Sequence, residues 1–184
     1  MRKLLSLLIL TGTLFAQANN IFTLNPSVNS SAMGNVGIAH ADVKNVFHNP
    51  AFAGLKESHQ EISYVDWLPN LTDDMGYQSI LYTSDLGWSS ELFYFNYGEQ
   101  TQADQGGIII GDFESASFRL SGGYGFQIKD WMFGARLNLY NHSFIDDFDI
   151  DMNYGFDLGA YKEFGNTSVG IVLKDVGGET KFLD

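Results

Sequence analysis

Four histidines, His40, His48, His59 and His142, are the first residues in this chain that could do chemistry. None falls in an H-E-x-x-H pattern and the chain has no cysteine, so neither a zinc helix nor a thiolate cluster is spelled out. There is no G-x-S-x-G elbow. The pair Gly34-x-x-Gly37 lacks the Lys-Ser/Thr and the helix that a phosphate loop requires. The acidic run "DDFDIDMN", with Asp146, Asp147, Asp149 and Asp151, offers the oxygen ligands that calcium takes. It misses the EF-hand spacing, because Gly155 comes a residue late and no Glu closes the loop, so it reads as a solvated loop. The expectation is a non-enzymatic protein with no catalytic residue, metal or cofactor.

The remaining chemistry is ionic, and it depends on strands. In "SASFRLSGGYGFQIK", residues 115–129, every second residue from Ala116 is apolar or glycine, while Arg119, Gln127, Lys129 and several serines and glycines fill the other face. Side chains alternate across a strand, so this is one two-faced ribbon fifteen residues long. Soluble strands usually run ~5–6 residues, whereas a tilted membrane-crossing strand needs ~9–11. The same alternation recurs around 131–140, 152–161 and 167–174, and less cleanly at 60–66, 76–84 and 89–97. If the hairpin pairs Asn141 with Met152, Arg136 and Asp157 stand opposite one another as a cross-strand ion pair on the polar face.

The connections alternate in length. Residues 85–88, 129–131 and 163–167 are tight, while 67–75, 98–114 and 142–151 are long. Transmembrane barrels have short turns at one rim and long loops at the other, which gives this rhythm. Outward Phe, Leu, Ile and Tyr would then meet lipid, and Trp88, Trp131 and Tyr97 near strand ends would form interfacial girdles. Seven strands is an odd count where single-chain bacterial barrels usually have an even number, so the expectation is a partial barrel of about seven to eight strands.

The N-terminus and composition set the compartment. "MRKLLSLLILTGTLFAQA" has a basic start, an apolar run and an Ala-x-Ala ending, and reads as a signal peptide cleaved after Ala18. Removing Arg2 and Lys3 takes the net charge from −12 to −14. A chain so acidic, with no Lys/Arg cluster, is a poor partner for nucleic acid. Aromatics make up 15 % of the chain and glycines number 20, against only 3 prolines, a composition that suits an exported β-protein. The expected organisation is signal peptide 1–18, a plug-like segment 19–58 and barrel strands 59–184. A secreted soluble β-sandwich that binds a ligand is the other class of fold open to these strands.

Ahead of the strands stands "AMGNVGIAHADVKNVFHNPAFAGL", residues 32–55. With Met33-Gly34, the stretch from Gly37 to Asp42, and Asn49-Pro50-Ala51 followed by Gly54-Leu55, it resembles the N-terminal signature of the PorV/PorQ family. These outer-membrane proteins are similar to FadL-type fatty-acid transporters. Phe52-Ala53 is inserted where the family runs directly from Ala to Gly. "FNYGEQTQAD", "GDFESASFRLSGGYGF" and "VGGETKFLD" also look like family blocks. The resemblance implies a transmembrane antiparallel up-and-down β-barrel (FadL-like) in the cell outer membrane, with the N-terminal segment folded in as a plug. It implies work in type IX secretion, with outer-membrane lipid, secretion-system components and exported cargo as partners. The family's barrels are about twice this long, so the chain is expected to be a fragment. Met33, Gly34, Gly37, Asp42, Phe47, Asn49, Pro50 and Phe52 are the plug residues singled out by position. A FadL-like channel for hydrophobic molecules is the alternative, with Phe47 and Phe52 lining an apolar pocket.

Overall fold

A computed structural model describes residues 23–72, 74–104, 106–144 and 152–177. Residues 1–18, expected to be a signal peptide, and most of the acidic run lie outside the described residues. Seven strands form one sheet in sequence order: β1 (His59–Asp66), β2 (Gly76–Thr83), β3 (Trp88–Ala103), β4 (Ile109–Ile128), β5 (Trp131–Phe144), β6 (Met152–Phe164) and β7 (Thr167–Val176). Each strand pairs antiparallel with the next, so the fold is an all-β up-and-down sheet. The β5–β6 register sets Asn141 against Met152 and Arg136 against Asp157, as the alternation of the two strands requires.

The two faces of the sheet are inverted relative to a water-soluble protein. One face carries Ile62, Ile80, Leu92, Leu120, Leu158, Ile171 and Leu173, all exposed, with Ile62 at 81 % and Ile171 at 62 %. The other face carries Ser79, Glu91, Ser117, Arg119, Arg136, Asn138 and Asp157, all buried, with Arg119 and Asp157 each at 1 %. Burying an aliphatic side chain stabilises by roughly 1.5–3 kcal/mol, so an apolar face left open is unusual.

On that open face, at the end with the short turns, aromatic rings form a row across four strands. Trp88 and Tyr124 lie 4.8 Å apart, Tyr124 and Phe126 6.2 Å, Phe126 and Phe133 6.0 Å, and Trp131 and Phe133 6.0 Å, with Phe164 closing on Trp131 at 6.3 Å. Tyr97, expected in a girdle, instead packs 4.8 Å from Phe95 in a cluster under the opposite face. The reason is alternation: Tyr97 stands two residues after Phe95 and so shares its face.

The connection at 98–114 is also not a loop. β3 and β4 continue past their outer neighbours as a two-stranded ribbon: β2 pairing stops at Asn96 and β5 pairing stops at Ser115. The turn itself is tight, with Asp104 Oδ1 accepting from the N–H groups of Gly106 and Ile108 at 2.8 and 2.9 Å.

Residues 23–58 run along the polar face as a strap. It contains a one-turn α-helix, Val28–Ala32, and two 3-10 turns, Val43–Asn45 and Pro50–Leu55. Each starts on a side chain that accepts a backbone N–H: Ser27, Asp42 and Asn49 respectively. Pro50 sits in the first turn, where its missing N–H costs nothing, and Lys56 ends the segment at φ +58. Strap and sheet together make the core, with Phe52 and Ala51 against Met132 and Tyr161, and Val46 and Ala53 against Leu81.

The strap and the charged row beneath it

Two devices hold the strap over β4 to β7. The first is a band of glycines. Gly125, Gly134 and Gly159 are cross-strand neighbours on β4, β5 and β6. A Cβ on Gly159 would strike Asn49 Oδ1 and the Pro50 ring, one on Gly134 would strike the Pro50 carbonyl, and one on Gly125 would strike Ala53 and Gly54. Gly170 on β7 receives the Ile38 carbonyl in the same way. Backbone meets backbone here because no side chain intervenes.

Asn49 fixes the position of the strap on this band. It is fully buried. Its Nδ2 donates to the Ile38 carbonyl at 2.9 Å and to the Ala160 carbonyl of β6 at 3.2 Å, while Oδ1 accepts from Ala51 N–H at 3.0 Å. One amide thus joins two parts of the strap to the sheet. Its groups are satisfied by protein alone, which makes it costly to replace.

The second device is ionic. Each strand from β3 to β7 contributes a charged side chain to a row on the covered face: Glu91, Arg119, Arg136, Asp157 and Lys174. Arg119 donates through Nε to Glu91 Oε1 at 2.8 Å and through Nη2 to the same oxygen. Arg136 donates through Nε to Asp157 Oδ2 at 3.0 Å, and its Nη1 stands 3.9 Å from Glu91 Oε2. Asp157 Oδ1 also accepts the backbone N–H of Asp175 at 2.9 Å. Arg136 then reaches the strap, donating to the carbonyls of Phe47 at 3.1 Å and Val46 at 3.5 Å.

Phe47 is enclosed by cations. Lys174 Nζ lies 4.0 Å from its ring centroid, and the Arg119 and Arg136 guanidinium carbons lie at 4.6 and 5.1 Å. A ring quadrupole attracts each cation, more strongly where water is excluded. His48, next in sequence, points to the other part of the strap. Its Nε2 sits 3.0 Å from Asn25 Nδ2 and 3.0 Å from Ser30 Oγ. The amide orientation of Asn25 is set because its Oδ1 accepts Ser27 N–H at 3.0 Å. Nδ2 therefore donates to His48, whose Nε2 must accept, and the imidazole is neutral. Burial, then the nearby charges of Lys174 and Arg136, pull the His48 pKa down to about 4.

The residues expected from sequence behave differently from one another. Phe47, Asn49, Pro50 and Phe52 take part in seating the strap, Phe52 edge-on to Tyr161 at 5.2 Å, while Asp42 caps a 3-10 turn within it by accepting the Lys44 N–H. Gly37 lies flat against the His48 ring, where a Cβ would clash. Gly34 serves a turn instead: it has φ +77 and open space around it. Met33 is exposed at 47 % and seats nothing. Arg136 and Asp157 are ion-paired as expected, but Glu91, Arg119, Lys174 and His48 were not foreseen as their companions. A signal was there: two arginines on the polar faces of adjacent strands require carboxylates nearby. Among the described residues no group of three or more His, Cys, Asp or Glu side chains is arranged to hold a metal ion, and no helix is long and apolar enough to cross a membrane.

The fold and site together define an all-β protein whose N-terminal strap covers a charged sheet face. Searches of protein-family models, characterised proteins and solved structures each return no match to the chain.

Proposed function

We propose that this is a non-enzymatic outer-membrane β-barrel protein of the kind the PorV/PorQ resemblance implies, working in type IX protein secretion. The observation that carries the membrane part is the inverted sheet: an exposed aliphatic face over a buried charged one. Lipid would cover the first face without a second protein layer, and the strap already covers the second. The aromatic row from Trp88 to Phe164 supports the same placement, since amphipathic rings favour the level of the lipid headgroups. β1 and β7 each pair on one side only among the described residues, so a closed barrel would need further strands beside them.

A soluble sandwich fits less well, because all seven strands belong to one sheet and no second sheet stands over the apolar face among the described residues. The FadL-like channel asks Phe47 and Phe52 to wall an open apolar pocket. Both rings are instead packed, Phe47 among cations and Phe52 on Tyr161. The secretion role rests on the sequence likeness alone, so two experiments divide the reading. The mature chain should refold in detergent with heat-modifiable gel migration; a monodisperse, folded chain in plain buffer defeats the membrane placement. A deletion strain should retain C-terminally tagged cargo; normal export defeats the secretion role.

A further inference from the structure

We infer that the strap is an acid-released latch: protonation of His48 frees residues 23–55 from the charged face of the sheet. The inference goes beyond the membrane and secretion reading, since it concerns only the face the strap covers.

The geometry has three parts. First, His48 Nε2 accepts from Asn25 Nδ2 and has the Ser30 hydroxyl beside it, both at 3.0 Å. A proton on Nε2 would point an N–H at an amide N–H that cannot turn away, because Asn25 Oδ1 is held by Ser27 N–H and Nδ2 is shared with Asn35 Oδ1. Second, the ring is buried and packed on Gly37, where even a Cβ would clash, so the seated strap closes one side of its motion. Third, the charges facing it from the sheet are cationic: Arg136 from β5 and Lys174 from β7. The carboxylates of the covered face are directed to other groups: Glu91 Oε1 accepts from Arg119 while Oε2 lies 3.9 Å from Arg136 Nη1, Asp157 pairs with Arg136, Asp175 accepts from Tyr140, and Glu61 of β1 holds Ser27 and Val28. A new imidazolium therefore meets one fixed amide donor and two like charges, with the Ser30 hydroxyl as its neutral acceptor and no carboxylate paired to it.

The sign follows. The His48 pKa is about 4 seated, against 6.5 for a free imidazole, so the released state takes up the proton more readily. Seating is unaffected above 6.5 and weakens as the pH falls from there toward about 4. His48 links the two parts of the strap, Asn25–Ser30 and Phe47–Leu55. Its protonation therefore separates the parts from each other and removes Phe47 from its three cations.

The test uses the full mature chain in detergent micelles. Its lack of native cysteine allows nitroxides at Val36→Cys in the strap and Asn166→Cys in the β6–β7 turn. Electron-spin distance measurements should give a narrow distribution near neutral pH that broadens reversibly between 6.5 and about 4. His48→Gln, a neutral side chain that still accepts, should stay narrow throughout that range. Lys174→Met removes one repelling charge together with a cation from Phe47, so it is read at the imidazole itself: His48 should titrate about half to one pH unit higher by NMR. A distribution that stays narrow in the parent chain overturns the latch. So does a His48→Gln chain that broadens at the same midpoint, which would transfer the effect to the carboxylates. A His48→Gln chain already broad at neutral pH leaves the decision to Lys174→Met, where an unmoved His48 titration overturns the latch.

Discussion

The two ends of the strap are held in contrasting ways. Near β1 and β2 the grip is directional: Ser27 Oγ and Val28 N–H donate to Glu61 at 3.0 and 3.1 Å, and Ser79 Oγ donates to the Pro26 carbonyl at 2.5 Å. The sheet there is aromatic, with Tyr77, Phe93 and Phe95 packed around Leu24 and Trp67. Over β4 to β7 the grip is steric and ionic, with glycines below the backbone and guanidiniums around Phe47. Hydrogen bonds of the first kind are worth about 0.5–1.5 kcal/mol each, or up to about 3 to a charged group, and are lost one at a time. A close backbone fit is lost as a unit, because one added methyl separates everything above it. The second region should therefore be the brittle one.

The largest break in that contrast is Arg136→Ala. It leaves the Asp157 carboxylate, 1 % exposed, without its guanidinium, and strips the Phe47 and Val46 carbonyls of a donor. Removing one partner of a buried pair typically costs about 3–5 kcal/mol, to be read from denaturant midpoints with unchanged m-value. A loss under about 1 kcal/mol would mean the row is solvated, and the ionic half of the comparison would fail. Gly159→Val comes next. Its Cβ would occupy the place of Asn49 Oδ1, so the cost is overpacking, about 1–3 kcal/mol, plus release of residues 49–55 in hydrogen exchange. Glu61→Gln acts on the directional end. It removes a charge from the bonds to Ser27 and Val28, for about 1 kcal/mol, with faster exchange near residues 27–31 and none at 49–55. If both stretches loosen together, the strap is one cooperative unit and its two ends do not differ.

How much of this was written in the sequence depended on whether a face was buried. β4, β5 and β6 alternate cleanly because lipophilic and polar sides face different surroundings, and their register follows from it. On β3 the signal is mixed: Phe93 and Phe95 lie on the covered face with the aromatic cluster, while Leu92 and Tyr94 lie on the open one, so both faces read apolar. The glycine band was invisible as a band. Gly125, Gly134 and Gly159 align only once two registers are known, and each alone reads as a gap in a strand. His48 could not be singled out either, since its importance comes from Asn25 and Ser30, 23 and 18 residues away. The Arg136–Asp157 pair was legible because a hairpin needs only one register.

The smallest expected effect lies in the β3–β4 ribbon, and it tests why that element was read as a loop. Beyond Asn96 and Ser115 the ribbon has no paired neighbour among the described residues, and Ile108, Ile109 and Ile110 are all exposed, Ile109 at 69 %. With neither face buried there is no pressure for alternation, so three isoleucines in a row break the period-two pattern without costing stability. The ribbon is held by its own ladder and turn, the latter through Asp104 Oδ1 and the Gly106 and Ile108 amides, and at its base by Asp74 Oδ2 accepting the Glu99 N–H at 2.7 Å. Ile109→Thr keeps β-branching and should change stability by no more than about 0.5 kcal/mol. Asp104→Ala should speed exchange at 106–108 while leaving the strap and the seven-strand sheet unaltered. A loss of about 2 kcal/mol for Ile109→Thr would mean that the side chain is packed, and the ribbon would then belong to the body of the protein.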